Sequence, residues 1–389
     1  MITNAKMLHC GMRALARLAK IESVAGKGQS KHDRRMTQSE EMPRWGVVAT
    51  VDEPAALVAA YVAHHRAIGA SEVHVFFDRP NPEAEALIGG VDGVFVHHSG
   101  EDGWARGWRN KRPARHQGRQ KYNATRTLAE TDLDWLIHCD ADEFVSLARP
   151  LEWELAKTGE QKAWLRLEVD ERCYLSKAPG ADIFAGAFRR RWDGFVEEGL
   201  LFYGLRARYL HKGLAGHVAG KPVVRSGRGY AIGVHFPLSH WDSTVNDLPY
   251  RPSYNARLMH FDGLTPLHFL LKMLRRVTTK VTGQPVPYVN SRTAQFNEAA
   301  LRAEDPDELM RLWWDVQGLR DYEAEELAAH ELLIRPQLAI AEETHALFGD
   351  KVDLSPAGFD RALIRHEADL IGRLHDAFGF DPEPLVSSA

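Results

Sequence analysis

The stretch Trp135-Leu136-Ile137-His138-Cys139-Asp140-Ala141-Asp142-Glu143-Phe144-Val145 sets three carboxylates directly behind a short, mostly apolar run. A run of this length, with aromatic and β-branched members, predicts a buried strand. The acids then stand at its C-terminal end, and in an open α/β sheet the carboxyl ends of the strands form the ligand crevice. A tight turn over Asp140 to Asp142 would let both carboxylates face one hard cation. Mg²⁺ or Mn²⁺ fits, since each prefers oxygen ligands and bridges to substrate phosphates rather than sitting in an all-protein cage. Acidic pairs also occur in solvated loops and at helix N-caps, and Asp-x-Asp recurs by chance. The surrounding sequence has to decide between these readings.

Working outward on the N-terminal side, strand and helix patterns alternate. Trp45 to Val51 predicts a strand, Asp52-Glu53-Pro54 opens a helix from Ala55 to Ile68, and Glu72 to Phe77 a second strand closed by Asp78-Arg79-Pro80. A short helix, a strand from Gly93 to His98, a helix from Pro113 to Glu130 and a strand from Leu133 to Cys139 follow. Such alternation implies an α/β fold, a Rossmann-like, mostly parallel sheet flanked by helices with right-handed crossovers. Asp52, Asp78 and Asp140 then fall just past the ends of three strands and converge on one crevice.

Composition bounds the function. The chain of 389 residues is 44% apolar and 26% charged, ordinary for a soluble globular protein. A net charge of −4 argues against a chain-wide nucleic-acid footprint. Cys10, Cys139 and Cys173 form neither a Cys-x-x-Cys pair nor an even framework, which suits a reducing cytosol. No apolar run of about twenty residues predicts a membrane span, and the N-terminus lacks the apolar core of a secretory signal. Residues 1–44 carry nine Lys/Arg against four Asp/Glu and read as a basic, partly disordered leader. Met7 to Ile21 has helical spacing with Arg13, Arg17 and Lys20, either an amphipathic helix for an anionic membrane surface or a flexible leader. The expected location is the cytoplasm, extending to the inner face of the membrane.

Val48-Ala49-Thr50-Val51-Asp52-Glu53, a helix with Tyr61, His64 and His65, then Ile68-Gly69, Val-His-Val-Phe-Phe-Asp78 and the intact Asp-Ala-Asp-Glu-Phe together resemble the opening of family-2-like glycosyltransferases. The resemblance covers roughly residues 45 to 145. It implies a GT-A fold, a nucleotide-diphospho-sugar donor (a UDP-sugar or a GDP-sugar) and Mn²⁺ or Mg²⁺. By the same resemblance Asp52, Glu53 and Asp78 face the nucleoside, with Asp in place of the family's Asn keeping an acceptor and losing a donor. Asp140 and Asp142 hold the ribose and the metal-bridged diphosphate, and Glu143 follows them as a supporting acid. Lys121 and Asn123 lie near the donor, as does Lys221 on a late strand. His235 and His260 match histidines that reach the donor or the cation, although a lone histidine is more often packed or exposed, and this chain has nineteen.

Beyond the acidic stretch, Ala163 to Val169 predicts a strand ending at Asp170-Glu171-Arg172. An inverting transfer needs a carboxylate to take the acceptor's proton, and Asp170, Glu171 and Glu143 are the candidates, with Glu168 behind them. A salt-bridged turn with Arg172 is the competing account. The arginine-rich loop from Ser99 to Gly118 reads as a basic lid or a solvated loop. Lys221 to Arg225 and Gly233 to Pro237 resemble a late pair of strands in these transferases, and His240-Trp241-Asp242 reads as lining an acceptor pocket, with an ordinary buried tryptophan as the competing account. Leu267 to Lys280 is amphipathic and basic, suited to a membrane surface or to closing the domain. The expected organisation is a leader (1–44), a catalytic domain (45–290) and a helical C-terminal region (291–389). The expected function is metal-dependent sugar transfer to a glycan, lipid-linked or small-molecule acceptor, with no nucleic-acid partner. The alternatives are an inactive carbohydrate- or partner-binding protein and a nucleotidyltransferase, which the missing Gly-rich loop after the first strand disfavours.

Overall fold

The computed structural model describes residues 42–98, 112–278 and 290–387. The N-terminal amphipathic segment, the leader and Arg106, Arg109 and Lys111 of the basic loop lie outside the described residues. In chain order the elements are β1 (Trp45–Val51), α1 (Ala55–Ala67), β2 (Glu72–Phe77), α2 (Pro82–Ile88), β3 (Val94–His98), α3 (His116–Glu130) and β4 (Trp135–His138). Then come β5 (Glu143–Leu147), α4 (Leu151–Ala156), β6 (Trp164–Cys173), β7 (Ala187–Arg190), α5 (Phe195–Tyr203), β8 (Lys221–Arg225), β9 (Ala231–Ile232), β10 (Pro237–Leu238) and β11 (Tyr250–His260). The C-terminal part holds α6 (Pro266–Thr278), α7 (Ser291–Leu301), α8 (Pro306–Gln317), α9 (Asp321–Ala329), β12 (Leu333–Ile334), α10 (Ile340–Phe348), α11 (Pro356–His366) and α12 (Ala368–Phe378).

β1 is buried at every position because both faces of the sheet are covered. Its alternate residues serve two cores. Val47, Ala49 and Val51 pack in the larger one with Leu57, Tyr61 and Val62 of α1, while Val48 packs with Leu136, Val224 and Ala124 and Leu128 of α3. α3 is largely polar, and its buried positions Gln120, Asn123, Ala124, Thr127 and Leu128 recur at the three-to-four spacing of one helix face. α1 instead is buried nearly all round, because α10 lies across it and ties in through His64, whose ring meets Glu343 (Nδ1–Oε2 2.7 Å) and the Val145 carbonyl (Nε2–O 2.8 Å). His64 and His65 are therefore packing residues.

Among the described residues the main sheet has ten strands, with the path β12-β7-β6-β8-β4-β1-β2-β3 and β11 bridging β6 and β5. Pairing is parallel through β4-β1-β2-β3, as the alternation requires, and again between β6 and β11. β8 runs antiparallel between β4 and β6. The fold class is α/β, a mixed sheet flanked by helices. Residues from 42 onward form one compact unit, and the C-terminal region contributes β12 to the sheet edge as well as helices.

Two sequence expectations are corrected. β6 does not end at Val169 but runs to Cys173, since Asp170 and Glu171 pair in register with Arg190 and Arg189 on β7. The flanking cations neutralise acids that, read alone, look like a strand terminator. Arg172 makes no turn there; its guanidinium reaches the carbonyls of Ile183 and Ala185. Residues 233–236 are a turn, not a strand, linking the two-residue strands β9 and β10. Of the two readings of Leu267 to Lys280, packing holds over the described side chains: Leu267, Leu270, Met273 and Leu274 are buried, and Lys272 and Arg275 pair with acids. No helix among the described residues is long and apolar enough to cross a membrane.

Candidate active site

β4 ends at His138, and the next four residues turn back into β5. The turn is closed by Glu143, whose amide donates to the Asp140 carbonyl (3.0 Å) while its Oε2 accepts from the Asp140 amide (2.8 Å). Asp140 and Asp142 thus sit on the expected tight turn, at the strand ends. Asp140 accepts from Lys221 (Nζ–Oδ2 2.8 Å) and from Gln120. Asp142 accepts from Lys272 of α6 (2.6 Å). Each acid of the pair is thus held by its own lysine.

Lys221 is completely buried and also touches Glu143 (3.1 Å). Burial disfavours its ammonium, but the Asp140 and Glu143 charges outweigh that and lift its pKa above the usual lysine value. Reciprocally, burial pushes the Glu143 carboxyl up, and Lys221 and His217 override it and hold the carboxyl well below its usual range. Gly220 makes this placement possible. It stands at φ +69°, and a Cβ there would collide with the Leu167 carbonyl, so only glycine lets the chain drop Lys221 against β4.

Strand pairing assembles the second half of the site. β11 lies between β5 and β6, and its last residue, His260, is in register with Glu143 on one side and Glu171 on the other. These three side chains form one row. His260 Nδ1 lies 3.5 Å from Glu171 Oε2, and its Nε2 lies 4.0 Å from Asp142 Oδ2. Burial opposes the imidazolium, yet Glu171 and Asp142 raise the His260 pKa to about 9. Glu171 is buried, paired with Arg189 (3.2 Å), and accepts the amides of Ala215 and Gly216 (2.6 Å each). His217, on the same loop, meets Glu143 (Nε2–Oε1 2.8 Å). His235 stands behind it, with ring centroids 4.6 Å apart and its Nδ1 on the Gly220 carbonyl (3.1 Å).

At the first strand end, Asp52 pairs with Arg79 (2.6 Å) and His366 (3.4 Å). Glu53 accepts the Asp52 amide, and burial together with the Asp52 and Asp142 charges raises its carboxyl to about 7. Asp78 is wrapped by Arg112, Arg119 and His116, the last of which also feels Glu53 and Asp140. Through His116 and Glu53 these acids form one electrostatic cluster at the strand ends. Arg275 of α6 and Glu367 close it beyond Asp52.

Other sequence candidates fall elsewhere. Asp170 points to the opposite face of β6 from Glu171, the period-two consequence of adjacency, and is clamped by Arg257 (Nη2–Oδ1 2.6 Å). Lys121 is exposed on α3, turned away from Gln120 and Asn123, which face the sheet. Asn123 donates to Thr50 (2.9 Å), one turn short of the acids. His240 and Asp242 are exposed, and Trp241 lies edge-on to Tyr122 at 6.0 Å. Sequence reading missed His217, Lys272, Arg275 and His366. None carries a spacing signal; the small-residue run Gly213-Leu214-Ala215-Gly216 before His217 is the nearest to one.

These features define an α/β protein with a cluster of acids, paired with lysines and arginines, at the carboxyl ends of its parallel strands. No protein-family model matches the chain, and no curated protein matches it. Among solved structures it is similar to the crystal structure of S. aureus TarS 1–349, at 11% identity and a TM-score of 0.30, covering 88% of this chain and 89% of that one. It is also similar to the same TarS segment in complex with UDP, at 10% identity and a TM-score of 0.24, and to a TarS chain of which it covers 54%. At such a distance the likeness extends to no individual residue.

Proposed function

We propose that the protein is a glycosyltransferase that moves a sugar from a nucleotide-diphosphate donor to an acceptor hydroxyl by a single in-line displacement. The observation that carries this reading is the cluster at the ends of three adjacent parallel strands, where Asp52 meets Arg79, Asp78 meets Arg119 and Asp140 meets Lys221, with Asp142 beside them on Lys272. Carboxylates at that place suit the hydroxyls of a ribose, and the ammonium groups suit a diphosphate. In the displacement the acceptor oxygen bonds to the anomeric carbon as the bond to the diphosphate breaks, and the acceptor's proton passes to a carboxylate of the crevice. Lys221, Lys272 and Arg275 offset the charge that develops on the leaving group. A divalent cation fits beside them, because ligand atoms of Glu143, His217 and His260 lie within 4.8 Å of one another. When bound it would supply further charge to the leaving diphosphate.

The test is calorimetry and thermal unfolding of the pure protein with UDP, GDP and their sugar conjugates, with and without Mn²⁺. A bound donor at a hundred times its dissociation constant stabilises the fold by about 2.7 kcal/mol, and unchanged unfolding across the panel overturns the proposal. A second reading, a binding protein without turnover, is favoured by the lysine already on each acid of the Asp140/Asp142 pair. Release of UDP from a UDP-sugar separates the two.

A further inference from the structure

The row formed by β5, β11 and β6 places two imidazoles against one carboxylate. Among the described residues, Glu143, His217 and His260 are the one group of three or more His, Cys, Asp or Glu whose ligand atoms lie within 4.8 Å of one another. Asp140 and Asp142 do not belong to it. The Glu143 carboxylate is divided: Oε2 takes the Asp140 amide (2.8 Å) and Lys221 (3.1 Å), which leaves Oε1 facing His217 Nε2 at 2.8 Å. The His217 and His260 rings are 4.9 Å apart; the His217 Nδ1 is buried without a hydrogen-bond partner, and the His260 Nδ1 faces Glu171 Oε2 at 3.5 Å, which leaves its Nε2 toward the cluster.

We propose that Glu143, His217 and His260 bind a borderline divalent transition-metal ion, Zn²⁺ or Mn²⁺ in preference to Mg²⁺. Two imidazoles and one carboxylate are the donor set of open-sided catalytic metal centres, the His260 ring giving up its proton as the ion binds, whereas Mg²⁺ asks for an octahedron of oxygens. Metal–nitrogen and metal–oxygen bonds of about 2.0–2.2 Å put neighbouring ligands roughly 3–4 Å apart, so the observed cluster closes on an ion with sub-ångström adjustment. Glu171 stands behind His260 as the carboxylate that commonly orients a ligating imidazole. Gly216 keeps the space: a Cβ there would come within 2.7 Å of both Glu171 Oε2 and His260 Cε1. The side facing the crevice stays open, since the His217 side chain is 22% exposed. The binding stands on these side chains alone. What the ion does for a departing diphosphate rests on the transferase reading.

The test uses the full chain stripped with EDTA and titrated with MnCl₂, followed by electron paramagnetic resonance of free and bound ion. The expected result is one Mn²⁺ per chain with spin-echo modulation from directly bound ¹⁴N, displaced by ZnCl₂ and resistant to a hundredfold excess of MgCl₂. His217→Gln and His260→Gln should each weaken binding roughly tenfold or more, and by more than Asp140→Asn, whose carboxylate is outside the donor set. Absence of Mn²⁺ binding, a nitrogen-free signal, or loss in Asp140→Asn with retention in His217→Gln overturns the proposal. If His217→Gln does not fold, the ¹⁴N signal of the unmodified protein and His260→Gln decide alone. UDP titrated into the same preparation reads the transferase proposal separately, so either can fail without the other.

Discussion

Replacing Lys221 by Met tests the electrostatic account most directly. The lysine side chain is fully buried and makes ion pairs of 2.8 Å to Asp140 and 3.1 Å to Glu143. Methionine fills most of the same volume, so the change removes a charge more than it opens a cavity. Asp140 would keep Gln120, and its side chain, 31% exposed, is partly screened by water. Glu143, 0% exposed, would keep only the Asp140 amide and His217. Removing one partner of a buried pair costs about 3–5 kcal/mol through the uncompensated charge left behind, and most of it falls on Glu143. The pH dependence fixes the sign. In the native protein both carboxyls are held below their ordinary values, 3.8 and 4.5, because Lys221 overrides burial. Their stabilisation is therefore full above those values and is lost as pH falls through the depressed folded ones. Without the lysine, burial raises the folded value instead, and the penalty is present above the unfolded value and relieved on acidification. The gap between the two proteins should be widest near pH 8 and narrow toward pH 4.5. Urea unfolding followed by tryptophan fluorescence measures it, Trp45, Trp135 and Trp313 being buried reporters. A gap under about 1 kcal/mol at pH 8, or one that does not change with pH, refutes the reasoning.

Three further outcomes follow from the same geometry. Glu53 has its carboxyl raised to about 7 against an ordinary 4.5, so its ionisation opposes folding above about pH 4.5 and does so fully above 7; Glu53→Gln should gain up to about 3 kcal/mol at pH 8 and nothing at pH 4 by urea unfolding. Arg257→Met leaves Asp170, which is 0% exposed, with Arg190 at 3.8 Å as its remaining cation, and should cost about 3 kcal/mol while calorimetric UDP binding stays unchanged, because Asp170 lies on the face of β6 away from Glu171. Gly216→Ala forces a methyl against Glu171 and His260; it should cost about 1–3 kcal/mol and weaken Mn²⁺ binding, read by chemical denaturation and by the resonance titration.

Much of the first half of the chain was legible from its residues. The apolar runs Trp45–Val51 and Glu72–Phe77, the helix between them and the acids that follow are local features, set by backbone preference and the spacing of side chains. That is why the positions of Asp52, Asp78 and Asp140 just past strand ends follow from the residues around them. Beyond Asp142 the local signal fails at particular places. Asp170 and Glu171 read as a strand terminator because their cations, Arg257 and Arg189, come from other strands. Lys272 reads as one charge on an amphipathic helix, and nothing near it in sequence says that it lands on Asp142.

The sequence by itself determined the α/β alternation, the turn that carries Asp140, Asp142 and Glu143, and the acidity of the crevice mouth, because each depends on residues within a few positions of one another. Only the tertiary structure decided what those acids face. The register of β11 between β5 and β6 brings His260 to Glu143 and Glu171, and the Gly216 and Gly220 close approaches bring in His217 and Lys221. Pairing across 86 (Tyr250 with Trp164) to 117 residues (His260 with Glu143) is fixed by burial and hydrogen bonding of whole strands, which no short stretch of chain encodes.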